Sequence, residues 1–292
     1  MTLALFLFNA MDPSLGRLDY TSLPQQALME MVIDGISNKE VICRDANEPK
    51  DIKQWKGVKI EDGEVVYIEW NQRRARKEPR ISGSLHLEWL PSSVRNLEVI
   101  CTGLTGTLDL ASLPTSIENL DLGGNAFTGS ICLDRLPEWM QFFVVSKNEL
   151  SGSLKLESLP DMLAYFYADN NQFSGSVDLT RLPADLTEMN LSYNLLSGSV
   201  VLTQLPSNLE KLSLGRNQFS GSLDLTKLPP MLYSLGLNNN AFSGTVDLSQ
   251  LSEVLEDVCL SNNELSGEAP EDIFFRGILY AENTKIIQRY ME

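Results

Sequence analysis

The chain has 292 residues with 39 acidic and 23 basic side chains, a formal net charge of −16, which repels phosphate backbones and excludes nucleic acid as a principal partner. Its four cysteines, Cys43, Cys101, Cys132 and Cys259, form no Cys-x-x-Cys pair, so neither a zinc site nor a disulfide framework is expected. No apolar run approaches the roughly 18 residues of a membrane-spanning helix.

Residues 1–80 contain no copy of the repeat that follows and read as an N-terminal cap. The start, Met1 to Met11, is apolar but lacks a basic leader and a small-residue cleavage site. The expected location is therefore cytoplasmic, with a secreted or cell-surface protein as the alternative. Ser22, followed by Pro24 and Gln25, offers a capped helix start. Leu28, Met31 and Val32 then give one apolar stripe before Gly35, which predicts a helix over Leu23 to Asp34. Asp62-Gly63 is a two-residue hairpin signal between Val58 to Glu61 and the alternating run Val65 to Trp70. This hairpin is expected to cover the first repeat, closing a stack end that would otherwise expose unpaired strand groups. The stretch Asn71 to Arg80 concentrates Arg73, Arg74, Arg76, Lys77 and Arg80 in an acidic chain and reads as a solvated loop.

From Gly83 to Gly267 glycine recurs at nine positions separated by 23 residues, and asparagine keeps the same interval from Asn125 to Asn263. A period this strict, with Leu-Pro repeating from Leu90-Pro91 to Leu228-Pro229, means a solenoid whose units bury their apolar faces only against neighbours. In each unit a run such as Leu209 to Leu214 supplies a strand with leucines inward, and stacking these strands builds a parallel sheet. The following asparagine is expected to turn its amide into neighbouring backbone. A second alternation at Gly221-Ser222-Leu223-Asp224-Leu225 predicts a second short strand, and Leu-Pro a tight turn with no room for a real helix. Residues 81–266 thus hold eight repeats. Residues 267–292, which lose the beat but keep Ile273, Phe274, Phe275, Ile278 and Leu279, form a C-terminal cap.

Asn217 with Phe219-Ser220-Gly221, and Trp55-Lys56-Gly57-Val58 ahead of the array, carry a resemblance to leucine-rich-repeat proteins, nearest the plant-type class and its protist relatives. The resemblance implies a mostly β, right-handed superhelix with its parallel sheet on the concave side. Ile60 stands where the family has a cap cysteine, so no cap disulfide is implied.

In that family the outward positions of the main strand bind partners. Most here are small or polar, as with Ser234, Gly236 and Asn238. The third and fourth repeats depart from this with Phe142 and Val144 beside Tyr165 and Tyr167. We read these four as a partner-binding patch with a polar rim of Asn119, Asp121, Lys147, Asp169, Glu188 and Asn190. Phe143 and Phe166 replace inward leucines, with Val145 and Ala168 compensating in volume.

No catalytic constellation is legible. The one histidine, His86, has no nucleophile spaced to use it. Gly124 to Ser130 imitates a phosphate loop without its lysine. The outward row Asp109, Asp178, Asp224 and Asp247 reads as a solvated acidic face rather than a calcium site. The expectation is a monomeric, non-catalytic interaction module without metal or cofactor, binding an unidentified protein. A structural or adhesive surface protein is the alternative.

Overall fold

A computed structural model describes residues 23–73 and 79–288. The apolar start, Ser22 and the basic residues Arg74, Arg76 and Lys77 fall outside this range.

Among the described residues, two long sheets run the length of the solenoid. The first has eleven strands and the second ten, each recruiting one short strand per turn. In the first sheet, Tyr165–Tyr167 pairs in parallel with Phe142–Val144 on one side and Glu188–Asn190 on the other. Partners there are a full repeat apart, as in Tyr165↔Glu188. In the second sheet they are two residues short of it, as in Ser174↔Leu195. A slip of two keeps every side chain on its own face, because the strand period is two. The core therefore stays continuous while the second sheet slants.

The hairpin forms as predicted. Asp62 and Gly63 both take positive φ, +49° and +86°, the geometry that matches the right-handed twist of flanking strands. Its second strand, Glu64–Asn71, lies parallel on Asn96–Ile100 and covers the first repeat. The cap helix is shorter than expected, Gln25–Val32, with Pro24 at its N-cap and no side-chain cap. Its buried face is Leu28, Met29 and Val32 rather than one through Met31. Two glutamines dock it: Gln25 Oε1 accepts from Val65 N at 2.6 Å and Gln26 Oε1 from Ile52 N at 2.8 Å.

Each Leu-Pro step makes the expected turn, in which the proline carbonyl accepts from the N–H three residues on, as in Leu209 N to Pro206 O at 3.1 Å. Single 3-10 turns such as Leu156–Ser158 lie just ahead of this step in some repeats, and no helix follows it in the described repeats. The second strand is displaced from its predicted place. It forms at Gln218–Gly221, before the expected Gly221 to Leu225. Gly221 at φ +85° turns the chain off the ladder. Asp224 then spends its carboxylate on a local turn, accepting from Thr226 N at 3.0 Å and Thr226 Oγ1 at 2.6 Å. Ala241–Asp247 and Glu264–Ala269 run farthest into the alternating segment, while Leu104–Thr107 and Ala126–Ser130 pass the glycine by one residue.

The asparagines form the expected ladder. Asn171 donates from Nδ2 to Val145 O at 2.9 Å and to Ala168 O at 3.2 Å, while its Oδ1 accepts from Leu150 N at 3.0 Å. One amide thus stitches adjacent turns where no water reaches. Inside the second sheet Phe127, Leu150, Phe173, Leu196, Phe219, Phe242 and Leu265 are all fully buried. Phe143 and Phe166 stack at 5.5 Å beside an equally buried Val145 and Ala168. The register survives their bulk, since Phe143 still pairs with Phe166.

Candidate functional site

Strand alternation sends Phe142, Tyr165 and Tyr167 to the solvent face of the first sheet, and the parallel register sets Phe142 beside Tyr165. The rings gather around Phe142. Its centroid lies 5.8 Å from that of Tyr165, tilted, and 6.0 Å from that of Tyr167, edge-on. Such offset geometries favour aromatic pairs, so the three rings make a preformed platform rather than three loose side chains. Val144, the fourth member predicted, is only 9% exposed. It presents little surface of its own.

The polar rim is held by neutral donors. Glu188 accepts from Tyr167 Oη at 2.6 Å, and Asp169 accepts from Ser146 Oγ at 2.5 Å and Asn170 Nδ2 at 2.7 Å. Burial together with the bond to Glu188 pushes the Tyr167 phenol above its usual range, so it stays a donor at neutral pH. Asp121 accepts from Gly123 N at 2.8 Å. Burial raises its pKa, and that backbone bond only partly offsets the shift. Asn119 donates to Asn96 Oδ1 at 2.5 Å, and Asn190 accepts from Ser192 N at 3.0 Å. Both are tied into the face. Lys147 is exposed just past its strand with a left-handed φ of +57°.

Two features of this face escape a reading by strand alternation. Trp139 and Met162, 61% and 39% exposed, sit on the turns leading into the strands that carry Phe142 and Tyr165. The same position carries exposed Met231 and Val254 on later turns. Farther along, the small residues Ser213, Ser234 and Gly236 floor a shallow trough of about 440 Å³ walled by Lys211, Asp257 and Tyr280. The signal for Trp139 was its position two residues after Pro137, where polar residues would be expected in a solvated turn.

Among the described residues, no group of three His, Cys, Asp or Glu side chains is placed to hold a metal ion. No described helix is long and apolar enough to cross a membrane. The His86 ring pairs with Glu88 at 3.2 Å.

No family model matches the chain, and no curated protein does. Solved structures do. The chain is similar to the plant peptide hormone receptor RGFR1 in complex with RGF2, at 23% identity and a TM-score of 0.52, over 72% of this chain and 39% of that one. It is also similar to the leucine-rich-repeat ectodomain of the Arabidopsis receptor kinase HAESA bound to an extended IDA peptide hormone, at 21% identity and a TM-score of 0.55, over 90% of this chain and 53% of that one. A plant ice-binding protein matches at 17% identity and a TM-score of 0.62, over 90% of this chain and 94% of that one. The chain thus spans well under two thirds of either receptor. At these identities the likeness shows the fold, a leucine-rich-repeat solenoid, and nothing finer.

Proposed function

We propose that this chain is a non-catalytic binding module that engages a protein or peptide through the solvent face of its first sheet, at the third and fourth repeats. One observation carries the reading. A packed triad of Phe142, Tyr165 and Tyr167 occupies adjacent strands of a face whose other repeats carry mostly small and polar side chains. Aromatic side chains brought to a surface as a pre-packed group are what interface hot spots are made of, since they bury large area at little entropy cost. Both similar receptors are bound to peptide hormones in their structures, and this supports reading a peptide as the class of ligand here. The described residues show no paired acid and base or activated nucleophile that would favour an enzyme.

The double substitution Tyr165→Ala with Tyr167→Ala tests this. Each truncation is expected to cost about 2 kcal/mol of binding. Capture of the native partner by the immobilised variant should therefore fall at least about tenfold, while the thermal transition stays within a few degrees. Undiminished capture refutes the reading. A collapsed transition would assign the rings to stability, and Tyr165→Ser alone, which leaves the Tyr167 to Glu188 bond in place, then separates the two roles.

A further inference from the structure

The occupant of the aromatic platform is marked by the charges around it, an argument that rests on the binding reading above. Glu98 and Asp121 face solvent on the strands ahead of the platform, Glu188 on the strand after it, and Asp169 at the end of the platform's own second strand. On the outward strand positions from Asn96 to Asn190 there is no lysine or arginine. Among the described residues none of these four carboxylates is in an ion pair. Their bonds to Tyr67, Gly123, Ser146 and Tyr167 come from neutral donors, which orient the oxygens without neutralising them. The cations nearest them are Lys211, the cross-strand neighbour of Glu188, Lys147, whose N–H bonds the Asp169 carbonyl, and Arg73, which acts on Asp121; four carboxylates outnumber them on the face.

We propose that this face binds an extended peptide segment rich in lysine or arginine, with cationic side chains lying over the rings of Phe142, Tyr165 and Tyr167 and reaching Asp121, Asp169 and Glu188. Each element of the face has a counterpart in such a ligand. The ring faces attract a cation through their quadrupoles. The carboxylates sit one or two strands to either side, about 5 to 10 Å away, within reach of a long basic side chain whose methylenes cover the platform. The trough beyond Glu188, floored by serine and glycine, leaves room for the peptide backbone to continue along the solenoid. An acidic or phosphorylated partner would meet like charge on both sides of the rings and is selected against.

The test uses three short, fluorescently labelled peptides of one design, repeating Arg-Leu-Ser, Gln-Leu-Ser or Glu-Leu-Ser, and measures anisotropy with the full chain. The arginine peptide is expected to bind at least about tenfold more tightly than the glutamine peptide at low salt, losing that margin as salt rises. Asp121→Asn with Glu188→Gln should remove most of the margin, and Tyr165→Ala with Tyr167→Ala should weaken the arginine peptide by about tenfold or more. Asp178→Asn with Asp224→Asn, on the far wall, should leave binding unchanged. Equal binding of arginine and glutamine peptides, lost in the tyrosine variant, overturns the cationic ligand and keeps the platform as the site. Arginine-peptide binding that ignores the tyrosines, or that falls equally with the far-wall variant, is attraction to net charge and overturns both.

Discussion

Replacing Asn194 by alanine is expected to lower the stability of the solenoid by about 3 kcal/mol. The side chain is 6% exposed. Its Nδ2 donates to Ala168 O at 3.0 Å and Leu191 O at 3.1 Å, and its Oδ1 accepts from Phe173 N at 3.0 Å. Alanine leaves the Phe173 N–H without its partner, at about 1 to 3 kcal/mol, and removes one of the two amide bonds at each of the Ala168 and Leu191 carbonyls, which keep those from Asn171 and Asn217, at about 1 kcal/mol each. Aspartate would not rescue it, since it keeps the acceptor for Phe173 but sets a charge against two carbonyls. Because stability in a solenoid passes between neighbours, a break at this central repeat should also broaden the transition. Asn125, at the start of the ladder, is only half buried, yet its Nδ2 donates to Val99 O at 2.7 Å and Leu122 O at 3.0 Å while its Oδ1 accepts from Thr102 N, Thr102 Oγ1 and Gly103 N. The same substitution there should cost a comparable amount, since Thr102 is fully buried. Chemical denaturation of the two variants checks both parts, and a midpoint for Asn194→Ala equal to that of the parent would show that the ladder is dispensable.

How far the structure could be read from sequence follows the same division. Residues whose task repeats in every turn announced themselves by their interval, as the asparagines and the inward leucines did. The hairpin was equally plain, because only a few dipeptides tolerate two positive φ values in succession. The second strand was misplaced because Gly221 to Leu225 alternates as a strand does, yet alternation cannot report that Gly221 leaves the ladder or that Asp224 turns to Thr226. Depth was equally hidden. Period two says that Val144 faces outward, not that it is only 9% exposed. The trough had no positive signal at all, since it is made by what Ser213, Ser234 and Gly236 lack.

The glycine beat conceals the opposite error, for its members are alike in sequence and unlike in tolerance. At Gly83, φ is +113°, and a methyl group would lie 2.1 Å from the carbonyl oxygen of Gly35 and 3.1 Å from Ile36 Cα. This is where the cap meets the array. Ile36 bridges Gly83, and Ser84 N donates to Gly35 O at 2.9 Å. The obstruction is backbone on both sides, so no rotamer change relieves it, and Gly83→Ala must push the cap off the first turn. At Gly198, φ is +83°, and the nearest neighbour of an added methyl is Ser176 Cβ at 3.3 Å. Alanine there meets chiefly the left-handed backbone penalty, about 1 to 2 kcal/mol. Gly83→Ala is therefore expected to cost about 3 kcal/mol or more, with the loss concentrated in the cap. Hydrogen exchange locates it. Amides of Leu28, Val32 and Ile36 should lose protection in Gly83→Ala while those of the central strands, Met189 and Leu212, retain it. Gly198→Ala should instead leave the cap as protected as in the parent. Equal losses of stability in the two variants would mean that the beat is kept for backbone conformation alone. The larger loss at Gly83 would mean that the first glycine is kept for the contact that seats the cap.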